Sequence, residues 1–166
     1  MASNQTEDDD LASPAVFPPQ RVLAPVDGSD NALRALRAAI IISKAYAAQL
    51  FIITVTKRDK LDEAFEFPGY QSSTVQQYNN EMDRRSDRLL SDALDLAKNE
   101  GLADVQTEAI PEFNSVPKQI LENSVDKKID LIVMGTRGIG GFKRLMMGSV
   151  SSTVVANAQC NVMVVR

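Results

Sequence analysis

Apolar residues occur along this chain in short runs, separated by stretches where they recur every third or fourth position. Arg21–Val26 (RVLAPV), Gln49–Val55 (QLFIITV), Ile129–Met134 and Asn161–Val165 (NVMVV) are brief, mostly uncharged and rich in β-branched residues, which predicts strands buried on both faces. Asp104–Ile110 (DVQTEAI) alternates instead, predicting a strand with one wetter face near a sheet edge. In the intervals the period lengthens to that of a helix. Asn31–Ala48 places Leu33, Leu36, Ile40 and Ala47 on one face and leaves Arg34, Arg37 and Lys44 for solvent. Ser73–Glu100 repeats Val75, Tyr78, Met82, Leu89, Ala93 and Leu96 before Gly101 stops it. Ser115–Lys128, with Pro117 tolerated in its first turn, and Ser149–Asn157 complete the helices. Strict alternation of the two element types predicts an α/β fold: a doubly wound, mostly parallel five-stranded sheet with helices on both faces, Rossmann-like in layout. Ligands of such sheets sit beyond the carboxyl ends of the strands, where Asp27 and Gly135 both fall.

Two segments fit neither period. Residues 1–20 are polar, acidic and broken by Pro14, Pro18 and Pro19, which predicts a disordered tail ahead of a single domain over 21–166. Thr56–Ser72 mixes charges with Phe65, Phe67, Pro68, Gly69 and Tyr70 and predicts a loop or lid longer than ordinary connections. With 44% hydrophobic residues, few aromatics and no Trp, the domain has material for one aliphatic core.

Charge and composition exclude several functions. Glu7, Asp8, Asp9 and Asp10 account for the whole formal charge of −4, so the remaining chain is balanced and offers no electrostatic footprint for nucleic acid. The chain contains no histidine, which removes Ser-His-Asp triads, His-based metal sites and imidazole general bases. Cys160 is the single cysteine, read as a packing residue, and cannot form an intrachain disulfide. No stretch reads as a signal peptide or a membrane span, so a cytoplasmic location without membrane contact is expected.

Candidate chemistry is concentrated after the fourth predicted strand. Gly135, Gly138, Gly148 and Ser149 form a Gly-x2-Gly-x9-Gly-Ser pattern, with Ser151, Arg137, Lys143 and Arg144 close by. A turn or cap accounts for any one of these glycines. Together with a helix start whose amides attract anions, hydroxyls and basic side chains, they point to phosphate. The spacing fits neither a P-loop nor a dinucleotide fingerprint, since Asp27-Gly28-Ser29-Asp30 follows the first strand.

Pro25-Val26-Asp27-Gly28-Ser29, Asp130–Gly135, the glycine pattern and the ending Cys160–Arg166 together resemble the universal stress protein family across residues 21–166. The wider group of adenine nucleotide alpha hydrolase-like folds is similar too, but its Ser-Gly-Gly-x-Asp-Ser pyrophosphate loop is replaced here by Asp27-Gly28-Ser29-Asp30. The resemblance implies the ATP-binding branch, with AMP or ADP as related ligands. It puts Asp27 near ribose and adenosine beside Pro25 and Val26, Val55 and Met134 against adenine, and Gly135, Arg137, Gly138, Gly148, Ser149, Val150 and Ser151 around ribose and phosphates. Mg or Mn would enter through the phosphates, because no clustered carboxylates form a protein cage and Asp8-Asp9-Asp10 lies in the tail. No catalytic residues are identifiable, so binding with little or no hydrolysis is expected of a stress or signalling regulator. Family likeness also implies a homodimer through the last strand and a protein partner of unknown identity. A nucleotide-independent dimeric scaffold and a slow ATPase or phosphotransfer enzyme are the alternatives. No side-chain hydrogen-bond code for one base is visible around Val55 and Met134.

Overall fold

The structure is a computed structural model that describes residues 17–57, 73–112, 115–138 and 147–166. The expected tail over 1–16, most of the Thr56–Ser72 loop, and Lys143 and Arg144 lie outside the described residues. Among the described residues nine elements alternate: β1 (Arg21–Pro25), α1 (Asp30–Tyr46), β2 (Gln49–Thr56), α2 (Ser73–Asn99), β3 (Val105–Pro111), α3 (Val116–Asp126), β4 (Leu131–Gly135), α4 (Ser149–Asn157) and β5 (Asn161–Val165). The strands form one sheet in the order β3-β2-β1-β4-β5, and every pairing is parallel. Strand order therefore reverses between β1 and β4, opening a crevice at their carboxyl ends.

Side-chain alternation divides the core into two layers. Val22, Ala24, Leu50, Ile52, Leu131 and Val133 pack under α1 and α2, while Leu23, Phe51, Ile53, Ile132 and Met134 pack under α3 and α4. Helix α1 buries Ala32, Ala35, Leu36, Ala39, Ile40 and Ser43. Leu33, expected on that face, stands on its shoulder and is 45% exposed. Ala47 is also exposed, because the helix ends one residue earlier and Ala47 caps it in the left-handed conformation at φ 52°. In α2 the buried line runs through Val75, Ser86, Leu90, Ala93 and Ala97; Tyr78 is exposed, and Leu89 and Leu96 are half-buried.

Phe17–Gln20, grouped with the tail on composition, meet the body of the fold: Pro19 is buried and Gln20 O accepts from Gln49 N at 2.8 Å. Asp130 Oδ2 accepts from both Gln20 N and Arg21 N at 2.9 Å, which pins the start of β1 beside β4. Two hydrogen bonds to one carboxylate oxygen set this pairing at the end of the sheet opposite the crevice.

At the crevice end the limiting contact is steric. A Cβ on Gly135 would lie 2.8 Å from the Asn31 carbonyl carbon and 3.0 Å from Ala32 N, so α1 touches the end of β4 backbone to backbone. Gly135→Ala is expected to lower stability by about 1–3 kcal/mol through overpacking, read from the urea midpoint at unchanged m-value.

Cys160 is half-buried against the α3/α4 layer, and burial pushes its thiol above the ordinary value, opposed by a hydrogen bond from its own backbone, with Asp130 adding a smaller push upward. A raised acid pKa means that the unfolded thiol ionises first, so its contribution to stability is intact below the unfolded value and declines as pH rises through it. Iodoacetamide modification of the folded chain is therefore expected to have its rate midpoint at higher pH than modification in urea, and coincident profiles would contradict this.

Candidate functional site

Three chain segments converge on the crevice, each through a local backbone device. After β1, Asp27 Oδ1 accepts from Ser29 N at 2.9 Å and Gly28 takes φ 84°, a turn conformation open to glycine but costly to residues with a Cβ. Ser29, rather than Asp27, is the N-cap of α1: its Oγ accepts from Ala32 N at 3.2 Å. Asp27 is thus held in the turn at the mouth of the crevice.

Beyond β4, Thr136 joins two other parts of the fold. Its N–H donates to Val165 O at 2.8 Å, extending the β4/β5 pairing, and its carbonyl accepts from Gly148 N at 2.7 Å and Ser151 Oγ at 2.8 Å. A Cβ on Gly148 would lie 3.1 Å from that carbonyl, so the close approach favours glycine. A Cβ on Gly138 would collide with Asp27 Oδ2, which places the loop after β4 directly against the turn after β1.

Gly148 begins α4 without a side-chain cap. Its first intrahelical bond runs from Ser152 N to Gly148 O at 2.9 Å, so the amides of Ser149, Val150 and Ser151 have no acceptor within the helix. The Ser151 hydroxyl corrects one expectation. It is buried and donates to the carbonyls of Thr136 and Gly148, so it secures the helix start and is not a free donor for phosphate.

All twelve residues singled out in the sequence line one cavity of about 430 Å³. Pro25, Val26 and Asp27 come from the end of β1 and its turn, Val55 from β2, Met134, Gly135, Arg137 and Gly138 from β4 and its loop, and Gly148, Ser149, Val150 and Ser151 from the start of α4. The sequence reading missed Ala32, Lys57, Val116 and Ile120 in the lining. Val116 and Ile120 have a retrospective signal: in a parallel sheet the first turns of each helix lie at the carboxyl end of the strands, so apolar residues there become rim or wall. Lys57 carries none, since a lysine after a strand is ordinary.

The β2 backbone adds a polar feature that no side chain announces. Gln49 and Ile53 bond toward β1, through Gln49 N to Gln20 O and Val26 N to Ile53 O, whereas Leu50 and Thr56 bond toward β3, through Leu50 N to Asp104 O and Glu112 N to Thr56 O. By that alternation the N–H and C=O of Val55 face the β1 side, and β1 pairing ends with Pro25 opposite Ile53. Val55 therefore directs one donor and one acceptor past the end of β1 at the cavity. The wall is apolar at Met134, Val116 and Ile120, and the charged groups Asp27, Arg137 and Lys57 stand around it. Among the described residues no group of three or more His, Cys, Asp or Glu is placed to hold a metal, and no helix is long and apolar enough to cross a membrane.

The universal stress protein family model matches residues 19–166. Universal stress protein YxiE of Bacillus subtilis (strain 168) is 32% identical over 149 residues, spanning 88% of this chain and 98% of that protein. Among solved structures, universal stress protein UspA from Lactobacillus plantarum aligns with a TM-score of 0.69 at 26% identity, covering 89% of this chain and 97% of its own. A universal stress protein in complex with cAMP aligns with a TM-score of 0.67, also at 26% identity and with the same coverage. Matched by the family model over residues 19–166 and by a relative at 32% identity across 88% of its length, the chain belongs to the universal stress protein family.

Proposed function

We propose that the cavity at the β1/β4 crevice binds an adenine nucleotide, with ATP as the principal ligand and AMP or ADP as related ones, in a regulatory rather than catalytic role. The observation that carries this reading is the pairing of two chemistries across one cavity. Amides at the start of α4 that have no acceptor within the helix suit phosphate, and an apolar wall with a backbone donor and acceptor at Val55 suits a purine edge. Adenine offers an amino donor beside a ring-nitrogen acceptor along one edge, which matches the carbonyl and N–H of Val55. Asp27 is placed between the two ends and suits ribose hydroxyls. The related structure in complex with cAMP supports the adenine assignment.

Nucleotide and cation fit the residues present in different ways. Amides of Ser149, Val150 and Ser151, with Arg137, would hold phosphate oxygens; Mg or Mn would be carried by the phosphates themselves and supply charge neutralisation there. Turnover needs a group that positions water, and the chain has no histidine, while the Ser151 hydroxyl is bonded to two carbonyls. Binding with little or no hydrolysis follows.

The same reading includes a homodimer through β5. Among the described residues that strand is a sheet edge, paired with β4 alone, and Met163 is 43% exposed on it, with Val155 of α4 also exposed. Apolar edge strands lacking charges favour pairing with another chain.

Calorimetric titration of the full chain with ATP and magnesium is expected to show saturable binding, weakened at least about tenfold with GTP because the wrong base edge leaves buried polar groups unpaired. Gly148→Val, checked for folding by circular dichroism, should abolish binding, and phosphate release by the wild type should not exceed that of this variant. Equal binding by the variant would remove the site. Sedimentation is expected to give a dimer for the wild type and a shift toward monomer for Met163→Lys; a wild-type monomer would refute the β5 interface.

A further inference from the structure

Lys57 lines the cavity from just beyond the end of β2, yet neither the glycine pattern nor the phosphate end accounts for it. Its position is well defined by its neighbour. Thr56 Oγ1 and Ser86 Oγ are 2.6 Å apart and both residues are buried, while Thr56 O accepts from Glu112 N at 2.9 Å. The end of β2 is thereby fastened to α2 through a side chain and to β3 through the backbone. Val55 and Lys57 flank this anchored residue: Val55 packs on the side of α3 and α4, and Lys57, the first residue beyond β2, lines the same cavity.

Distance separates Lys57 from the phosphate end. The strand order puts β1 between β2 and β4, and Gly148 attaches to Thr136, which bonds onward to Val165 of β5. At one strand spacing per step the α4 amides lie roughly 10–14 Å across the sheet from β2, about the length of a nucleoside. A purine whose edge meets the Val55 backbone continues the plane of the sheet and turns one ring face toward the α3/α4 layer. Lys57 lines the cavity together with Val116 and Ile120 of that layer. Among the described residues its ammonium has no carboxylate partner.

Building on the nucleotide reading above, we infer that Lys57 is a base-recognition residue: its ammonium covers the exposed face of the bound purine in a cation–π contact. The contact acts on the base and is indifferent to the number of phosphates. It makes the affinity for a neutral nucleoside depend on a cation, which no phosphate-binding role would do.

Titrations of adenosine, AMP and ATP into the full-length wild type, Lys57→Ala and Lys57→Arg test this. Lys57→Ala is expected to weaken all three ligands by one common factor of about three to five, and Lys57→Arg to retain wild-type affinity, since a guanidinium also stacks on a ring. Lys57 is exposed, so the melting temperature of the ligand-free variants should match the wild type. A loss that is absent for adenosine and grows from AMP to ATP would assign Lys57 to phosphate and overturn the inference, as would unchanged affinity for all three. Failure of the wild type to bind any of them would overturn the nucleotide reading itself, and this assignment with it.

Discussion

The end of β4 lies against the first turn of α1 with no space for a side chain, and the geometry of the crevice depends on that contact. Gly135 lets the Asn31 and Ala32 backbone approach closely. This keeps the N-terminus of α1, and the Asp27–Ser29 turn before it, beside the loop that leaves β4. Gly138 then sits against Asp27, and Gly148 closes on Thr136. The glycines are spaced in sequence according to where one backbone crosses another in space. Their primary physical role is close approach, and the cavity is the space left between the segments they bring together.

That distinction explains what could be read from the chain before its structure. Strand and helix positions were legible because buried parallel strands concentrate β-branched residues and helices repeat at a different period, so the two patterns rarely coincide. The order of elements then constrains the sheet to few arrangements, and all twelve residues singled out come together at its carboxyl edge. Errors occurred where an apolar residue stood at the margin of a face. Leu33 and Tyr78 have helical spacing, but each belongs to an early turn of its helix and is exposed.

The less legible parts of the site are those made by backbone or by topology. Val55 was singled out as an apolar side chain, although its polar contribution comes from an N–H and a C=O left beyond the end of β1; only the register reveals this. Ser151 carried the opposite signal, a hydroxyl that suggested a ligand contact but is bonded internally. Lys57, Val116 and Ile120 enter because β2 and α3 end and begin at the same edge of the sheet. Residue type indicates the chemistry available to a position, whereas pairing and register determine which of its groups remain unoccupied.

Thr136 gives the fold a mechanical property that none of its neighbours has alone. One residue holds β5 through its N–H and the start of α4 through its carbonyl, with the Ser151 hydroxyl doubling the second attachment. The outer strand and the amide-bearing helix turn are therefore attached to the two peptide planes that meet at the Thr136 Cα. A contact made by β5 and a ligand held by the α4 amides therefore act on the same residue, and linkage makes any influence of one on the other equal in both directions. The edge of the sheet and the floor of the crevice thus form a lever with Thr136 as its fulcrum.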